Sequence, residues 1–425
     1  MVQQGQRLMM VGTRKGLWIG RTDIDGGEWV WDEPRFLMEE VYSCMVDTRG
    51  GRTRLLVGSG SPHWGPHVYR SDDLGETWQE SPNVMVLPEE AGVGVQQVWQ
   101  LWPGGSAEPD VVYAGTQPSA LFRSEDRGET FELVRSLWDH PHRPQWGAGF
   151  GGQAIHTILP HPSDASRMVV AMSTGGVYRT EDGRESWAPA NVGIAAGFMP
   201  EGQQYPEFGQ CVHKVTRHPD LPDRLYAQNH GGVYRSDDGA DSWTAIGQSL
   251  PSDFGFPVVV HPADPATLFV FPNGAGDTRF PPEAKARVWR SPDAGATWEE
   301  LGAGLPDGFY SSVLRDAMCA DDADPAGLYL GTRAGNVFYS TDAGESWQEV
   351  VRHLPDVVVV RAAVVCAAAG STPSLSNRAK PWSRAARTTA RATASATPRY
   401  GAPCRSRASP VRWLKTVTCR VVSSA

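Results

Sequence analysis

The chain has 425 residues and a formal net charge of −9, with 40% hydrophobic and 20% charged residues, a globular balance long enough to bury a large core. No run of about 18 apolar residues occurs, so no membrane-spanning helix is expected. The opening Met1-Val2-Gln3-Gln4-Gly5-Gln6 has no basic segment followed by an apolar one, so no signal peptide is expected, and the cytoplasm is the expected compartment.

From the N-terminus, apolar runs at 8–11 and 17–19 read as two short strands. They lead into Thr22-Asp23-Ile24-Asp25-Gly26-Gly27-Glu28-Trp29, a worn form of an octapeptide that recurs six times downstream. The first full copy is Ser71-Asp72-Asp73-Leu74-Gly75-Glu76-Thr77-Trp78, and the others start at 124, 180, 236, 291 and 340. A period of about 50 residues marks a repeat architecture. The chemistry is that of a tight turn. The hydroxyl and the third-position Asp can hold backbone N–H groups, Gly supplies a positive φ, and the aromatic packs beneath as the next strand begins. Copies 180–187 and 236–243 carry their Gly one place earlier. Apolar runs such as 98–101, 111–115 and 121–123 precede a turn, so each repeat holds four short strands.

Four-stranded units of this length arranged in a circle are propeller blades, and the fold class expected is all-β, a seven-bladed β-propeller. The first unit lacks an innermost strand. The apolar run 357–365 supplies it, so the ring closes by pairing the N- and C-terminal strands, and 1–366 form the propeller domain. Residues 367–425 are expected to be a surplus basic tail, disordered or frameshift-derived. Residues 361–425 hold 12 Lys or Arg and no Asp or Glu, whereas 1–360 hold 27 basic and 48 acidic groups. Neither nucleic acid nor membrane is expected as a partner. None of the six cysteines forms a CxxC pair, so neither a zinc site nor a redox motif is signalled.

The octapeptide resembles the BNR or Asp-box repeat, Ser-x-Asp-x-Gly-x-Thr-Trp, over about residues 8–366. That repeat occurs in sialidases, xyloglucanase-type glycosidases, sortilin-type receptors and photosystem assembly factors. The resemblance implies the propeller fold. It implies little about activity, because the repeat is structural in all of them.

Repeated residues are read as structural, and unrepeated ones are the candidates for function. The long connections 59–66, 137–152, 191–208 and 271–285 emerge on one face, here called the top, and variable loops over a rigid scaffold are where ligands bind. Aligned innermost strands put Tyr42, Gln97, His156, His213 and Asp316 in one row near the axis, with Phe256 in the sixth blade. The expected catalytic residues are Asp316, Tyr42 and Glu40. The expected substrate-binding residues are Arg14, His63, Trp64, His156, His213, Asn229, His230, Arg279 and Arg333.

Three readings compete. The first is a sialidase-like or xyloglucanase-like propeller that binds or hydrolyses a carbohydrate or small molecule. Glycoside hydrolysis needs two carboxyls, for which Glu40, Asp139, Asp277 and Asp316 are available, or a Tyr beside a carboxylate with arginines such as Arg14, Arg279, Arg315 and Arg333 gripping an acidic sugar. The Arg-Ile-Pro stretch that opens sialidase propellers is absent, with Gly12-Thr13-Arg14-Lys15-Gly16 in its place. The second is a non-catalytic interaction or assembly-factor module with a protein partner on the top face, anchored by Trp64, Trp138 and Trp146. The third is a metal enzyme using His63, His67, His140, His142, His156, His213 and His230. Those loop spacings are unspecific, and no metal or other cofactor is assigned.

Overall fold

The computed structural model describes residues 5–366 apart from 62, 84, 150 and 277. The tail 367–425 and Asp277 therefore lie outside the described residues. Seven four-stranded antiparallel sheets form the molecule. Blades 2 to 7 are each built from consecutive strands, with innermost members Glu40–Asp47, Gln97–Pro103, Ile155–Pro160, Val212–His218, Gly255–His261 and Met318–Ala320. Blade 1 takes its innermost strand from the far end of the chain. Val357–Cys366 pairs with Gly5–Thr13, followed outward by Gly16–Asp23 and Val30–Trp31. The expected closure is thus observed, with the pairing running from Gly5–Cys366 to Thr13–Val357.

Apolar side chains of neighbouring blades interleave to form the core. Between blades 4 and 5, for example, Val169, Ala171, Val215, Leu225 and Trp243 are all buried together. Close approach at the centre demands small residues. A Cβ on Gly12 would sit 2.6 Å from the Val41 carbonyl oxygen of blade 2, and one on Gly115 would sit 2.3 Å from that of Ile155 in blade 4.

The octapeptide turns are built as their chemistry requires. In 291–298, Ser291 Oγ donates to Asp293 Oδ1 and accepts from Gly295 N at 2.7 Å, while Asp293 accepts from Thr297 N and Thr297 Oγ1. Two successive residues have left-handed backbone, Ala294 (φ 60°) and Gly295 (φ 90°). This explains the displaced glycines. Gly183 and Gly239 occupy the first left-handed position, and Arg184 and Ala240 take the second, with φ 76° and 78°. The hydroxyl still receives the same N–H, from Arg184 to Thr180 and from Ala240 to Ser236.

The innermost strands share a further feature. The register slips at the top end of those in blades 1 to 6, at Val41/Ser43, Val98/Gln100, Ile155/Thr157 and Val212/Lys214 among others. A bulge leaves one residue unpaired and re-aims its side chain. The residues so released are Tyr42, Trp99, His156 and His213, with Phe256 inside the blade 6 slip. Asp316 takes the corresponding place in blade 7, beside Val359. The row read from sequence is therefore corrected in blade 3. Alignment on strand ends gives Gln97, whereas the bulge selects Trp99, two residues on.

Candidate functional site in the top-face cavity

The bulged row, the connections and the hairpin tips enclose a cavity of about 900 Å³ on the top face. Three of the four long connections reach it, through Gly149 and Gly151, Phe198, and Thr278 with Arg279. A fourth wall, Tyr310 to Asp316, comes from the link between blades 6 and 7, which its length did not single out. Of the residues expected from sequence, Tyr42, Asp316, Arg14, His213, His230, Arg279 and Arg333 line the cavity.

The others are placed elsewhere. Glu40 stands behind the wall, where Arg14 and Gln97 donate to it at 3.3 Å each. His156 is fully buried. Its Nε2–H donates to the Val212 carbonyl at 2.9 Å, and burial, reinforced by the charges of Arg315 and Lys214, pulls its pKa well below the usual histidine value. Asn229 is buried and donates to the Ala195 carbonyl. His63 and Trp64 are exposed on the outer hairpin of blade 2, away from the cavity lining. The expected anchors Trp138 and Trp146 are also buried.

Asp316 is the most constrained of these side chains. Lys214 Nζ lies 2.8 Å from its Oδ1, and Arg361 binds the same oxygen. Burial alone would raise its pKa, but the two cations outweigh this and hold the carboxyl well below the usual range. Asp316 is therefore a fixed negative charge and is unavailable as a proton donor. Lys214 and Arg361 also lie over the Trp102 ring, at 6.0 and 5.8 Å, so a packed ionic cluster occupies the axis beneath the cavity.

The arginines divide into two kinds. Arg14 and Arg333 are both bound to Asp356, and Arg14 to Glu40 as well. Arg315 is different. Its Nε donates to the His213 carbonyl at 3.1 Å and its guanidinium lies 4.8 Å over the Trp99 ring. Among the described residues its two Nη groups have no salt bridge, and Arg315 lines the cavity. Burial pulls its pKa below the usual arginine value, and nearby Asp316 partly restores it. Arg315 and Trp99 are the site residues that strand alignment missed. The bulge that sets Trp99 leaves no mark in hydrophobic alternation, and Arg315 lies in the link before the innermost strand of blade 7.

Tyr42 adds a phenol to the wall. Its ring lies 5.5 Å from that of Trp99 and 5.6 Å from the Arg14 guanidinium. Burial raises the Tyr42 pKa, the Arg14 guanidinium opposes this, and the negative charge of Glu40 adds to the rise.

A ring of seven four-stranded blades around such a cavity defines a β-propeller, and its hydroxyl–carboxylate turns are similar to the BNR/Asp-box repeat. The BNR/Asp-box repeat family matches residues 338–349. A xyloglucanase of Paenibacillus sp is 26% identical over 179 residues, which is 38% of this chain and 16% of the xyloglucanase. The chain thus matches less than a fifth of that relative's length. The crystal structure of a Niastella koreensis GH74 enzyme superposes with a TM-score of 0.52 at 14% identity, over 81% of this chain and about half, 54%, of that one. YCF48 from Cyanidioschyzon merolae gives a TM-score of 0.47 at 13% identity, over 73% of this chain and 85% of that one. No helix among the described residues is long and apolar enough to cross a membrane.

Proposed function

We propose that the top-face cavity binds a carboxylate-bearing sugar or a similar small organic anion. The observation that carries this is Arg315, whose two Nη groups have no hydrogen-bond or ion-pair partner among the described residues, in a cavity whose wall also holds the rings of Tyr42, Trp99, Phe254 and Phe256. A planar fork of donors matches a carboxylate bidentately, and the rings offer apolar faces to the C–H side of a sugar. The partial similarity to a xyloglucanase supports the carbohydrate class. In this reading Tyr42 and Glu40 are the hydrolytic pair, nucleophile and base, and Asp316 shapes the field without exchanging a proton. Arg14, Arg279, Arg333, His213 and His230 complete the ligand's surroundings. The test is calorimetric titration of the full chain with glucuronic, galacturonic and N-acetylneuraminic acids against their neutral counterparts, with fluorogenic glycosides of each for hydrolysis. Binding of an acid with the neutral sugar silent supports the reading; equal binding of both, or of neither, sinks it.

A protein-interaction module is the second reading. The observation that favours it is the set of aromatic side chains left open on this face, among them Trp64 (73% exposed) and Tyr310 (74%). A silent sugar panel together with a protein partner whose capture needs Trp64 and Tyr310 would establish it instead.

A further inference from the structure

We propose that Cys211, His213 and His230 form a binding site for a zinc-type divalent cation in the wall of the cavity. One ligand atom from each lies within 4.8 Å of the other two. Cys211 and His213 stand at the start of the innermost strand of blade 5. His230 follows the second strand, Leu221–Asn229, and its N–H donates to the Cys211 carbonyl at 2.9 Å, which sets the hairpin tip beside the strand start.

The donors are oriented for the task. His213 Nδ1–H donates to the Gly255 carbonyl at 2.6 Å, so the proton sits on Nδ1 and the bare Nε2 faces Cys211. Cys211 Sγ lies 3.7 Å from that Nε2. A tetrahedral zinc with ordinary Zn–S and Zn–N bonds places those atoms about 3.5 Å apart, so one edge of the tetrahedron is nearly formed before any metal binds. The bulge at His213 turns its ring out of the ladder into the cavity. Among the described residues, the neighbours on the fourth side are small: a Cβ built on Gly149 would only just reach Cys211 Sγ, at 4.0 Å, and Ser173 and Thr174 line the same wall.

One feature opposes the site. Arg315 and Arg279 place positive charge near these donors. Binding displaces the Cys211 proton to solvent, and the thiolate so formed cancels one of the metal's two charges. The remaining charge sits beside Arg315, so the open position would take an anionic oxygen donor. Two histidines, a cysteine and an open place suit a late first-row dication better than calcium or magnesium.

The site stands whether or not the cavity takes a sugar, and its test uses metal alone. Full-length protein freed of metal with a chelator is titrated with Co(II). One equivalent should bind, giving intense visible bands of a tetrahedral centre and a thiolate-to-cobalt band in the near ultraviolet, and Zn(II) should bleach both. Cys211→Ser should abolish the near-ultraviolet band, whereas Cys319→Ser and Cys366→Ser should keep it. His230→Gln should weaken Co(II) binding about tenfold or more while the metal-free protein melts as before. Failure to bind one equivalent, or a thiolate band that survives Cys211→Ser in folded protein, would overturn the assignment.

Discussion

Lys214 Nζ sits 2.8 Å from Oδ1 of Asp316, joining the innermost strand of blade 5 to the segment that enters blade 7. Arg361, from the strand that closes the ring, binds the same oxygen, so three blades meet at one carboxylate. Removing one partner of a buried ionic cluster leaves the others uncompensated, at about 3–5 kcal/mol. Asp316→Asn is therefore expected to lower unfolding stability by that amount in urea titrations, and any activity should fall only as folded protein is lost. Lost activity with an unchanged midpoint would instead make Asp316 a reacting group.

The buried histidines give stability a pH dependence of known sign. His156 is neutral in the fold because burial depresses its pKa, while the unfolded chain protonates at about pH 6.5. Below that value the unfolded state binds more protons, so this contribution is complete above about pH 6.5 and is lost as pH falls. The octapeptide aspartates behave alike at lower pH, since Thr297 and its counterparts hold them ionised. The melting temperature should be level from pH 8 to 7, decline gently below about 6.5 and drop steeply below about 4. His156→Gln should flatten the first decline while lowering stability at pH 8. A level curve down to pH 5 in the unsubstituted protein would contradict a buried neutral His156.

The turns should act on stability alone. Trp243 is buried against blade 4 and its Nε1–H donates to the Ala190 carbonyl at 2.9 Å. Trp243→Ala should cost about 3–5 kcal/mol as a large core truncation. Asp238 accepts from Ser236, Ser242 N and Ser242 Oγ on an exposed turn, and Asp238→Ala should cost about 1 kcal/mol. Denaturant titration measures both, and ligand affinity of the folded fraction should not move. A binding defect at full stability would show that the turns do more than fold the chain.

Blade number, closure and turn chemistry were legible because each is written in local sequence, as a spaced octapeptide or an unpaired apolar run. Residues 357–365 could be placed because only one unit lacked a strand. The site was legible in part. Tyr42, His213 and Asp316 were found by counting along strands, whereas Trp99 was displaced because a bulge adds a residue without changing composition. Arg315 and Arg14 look alike in sequence. What separates them is that Glu40 and Asp356 neutralise Arg14, a fact of distant chain segments. Cys211, His213 and His230 belong to two strands joined by a hairpin, so no short spacing announces them.

Closure makes its own prediction. A chain ending at Leu354 lacks Val357–Cys366 and leaves Gly5–Thr13 without its inner partner, and with it go Arg361 and the clamp on Asp316. A chain ending at Cys366 retains both. The longer one is expected to unfold in a single cooperative transition near that of the full chain, and the shorter one to expose open strand edges and aggregate. Equal stability of the two by calorimetry would mean that the terminal strand does not close the ring.

The arginines make the sharpest test of the cavity. Charge-assisted hydrogen bonds to a buried carboxylate contribute about 1.5–3 kcal/mol, so Arg315→Met should weaken an acidic-sugar ligand about 10- to 100-fold. Arg315→Lys should recover little of this, because an ammonium keeps the charge but loses the planar fork over Trp99. Arg14 is 43% exposed and already bound to Glu40 and Asp356. A ligand must compete with those partners, and such rim pairs are worth under about 1 kcal/mol, so Arg14→Met should change affinity by about fivefold or less. Calorimetry on the three variants ranks the two positions directly. If Arg14→Met proves as damaging as Arg315→Met, the ligand is held at the rim and the guanidinium over Trp99 is only part of the wall.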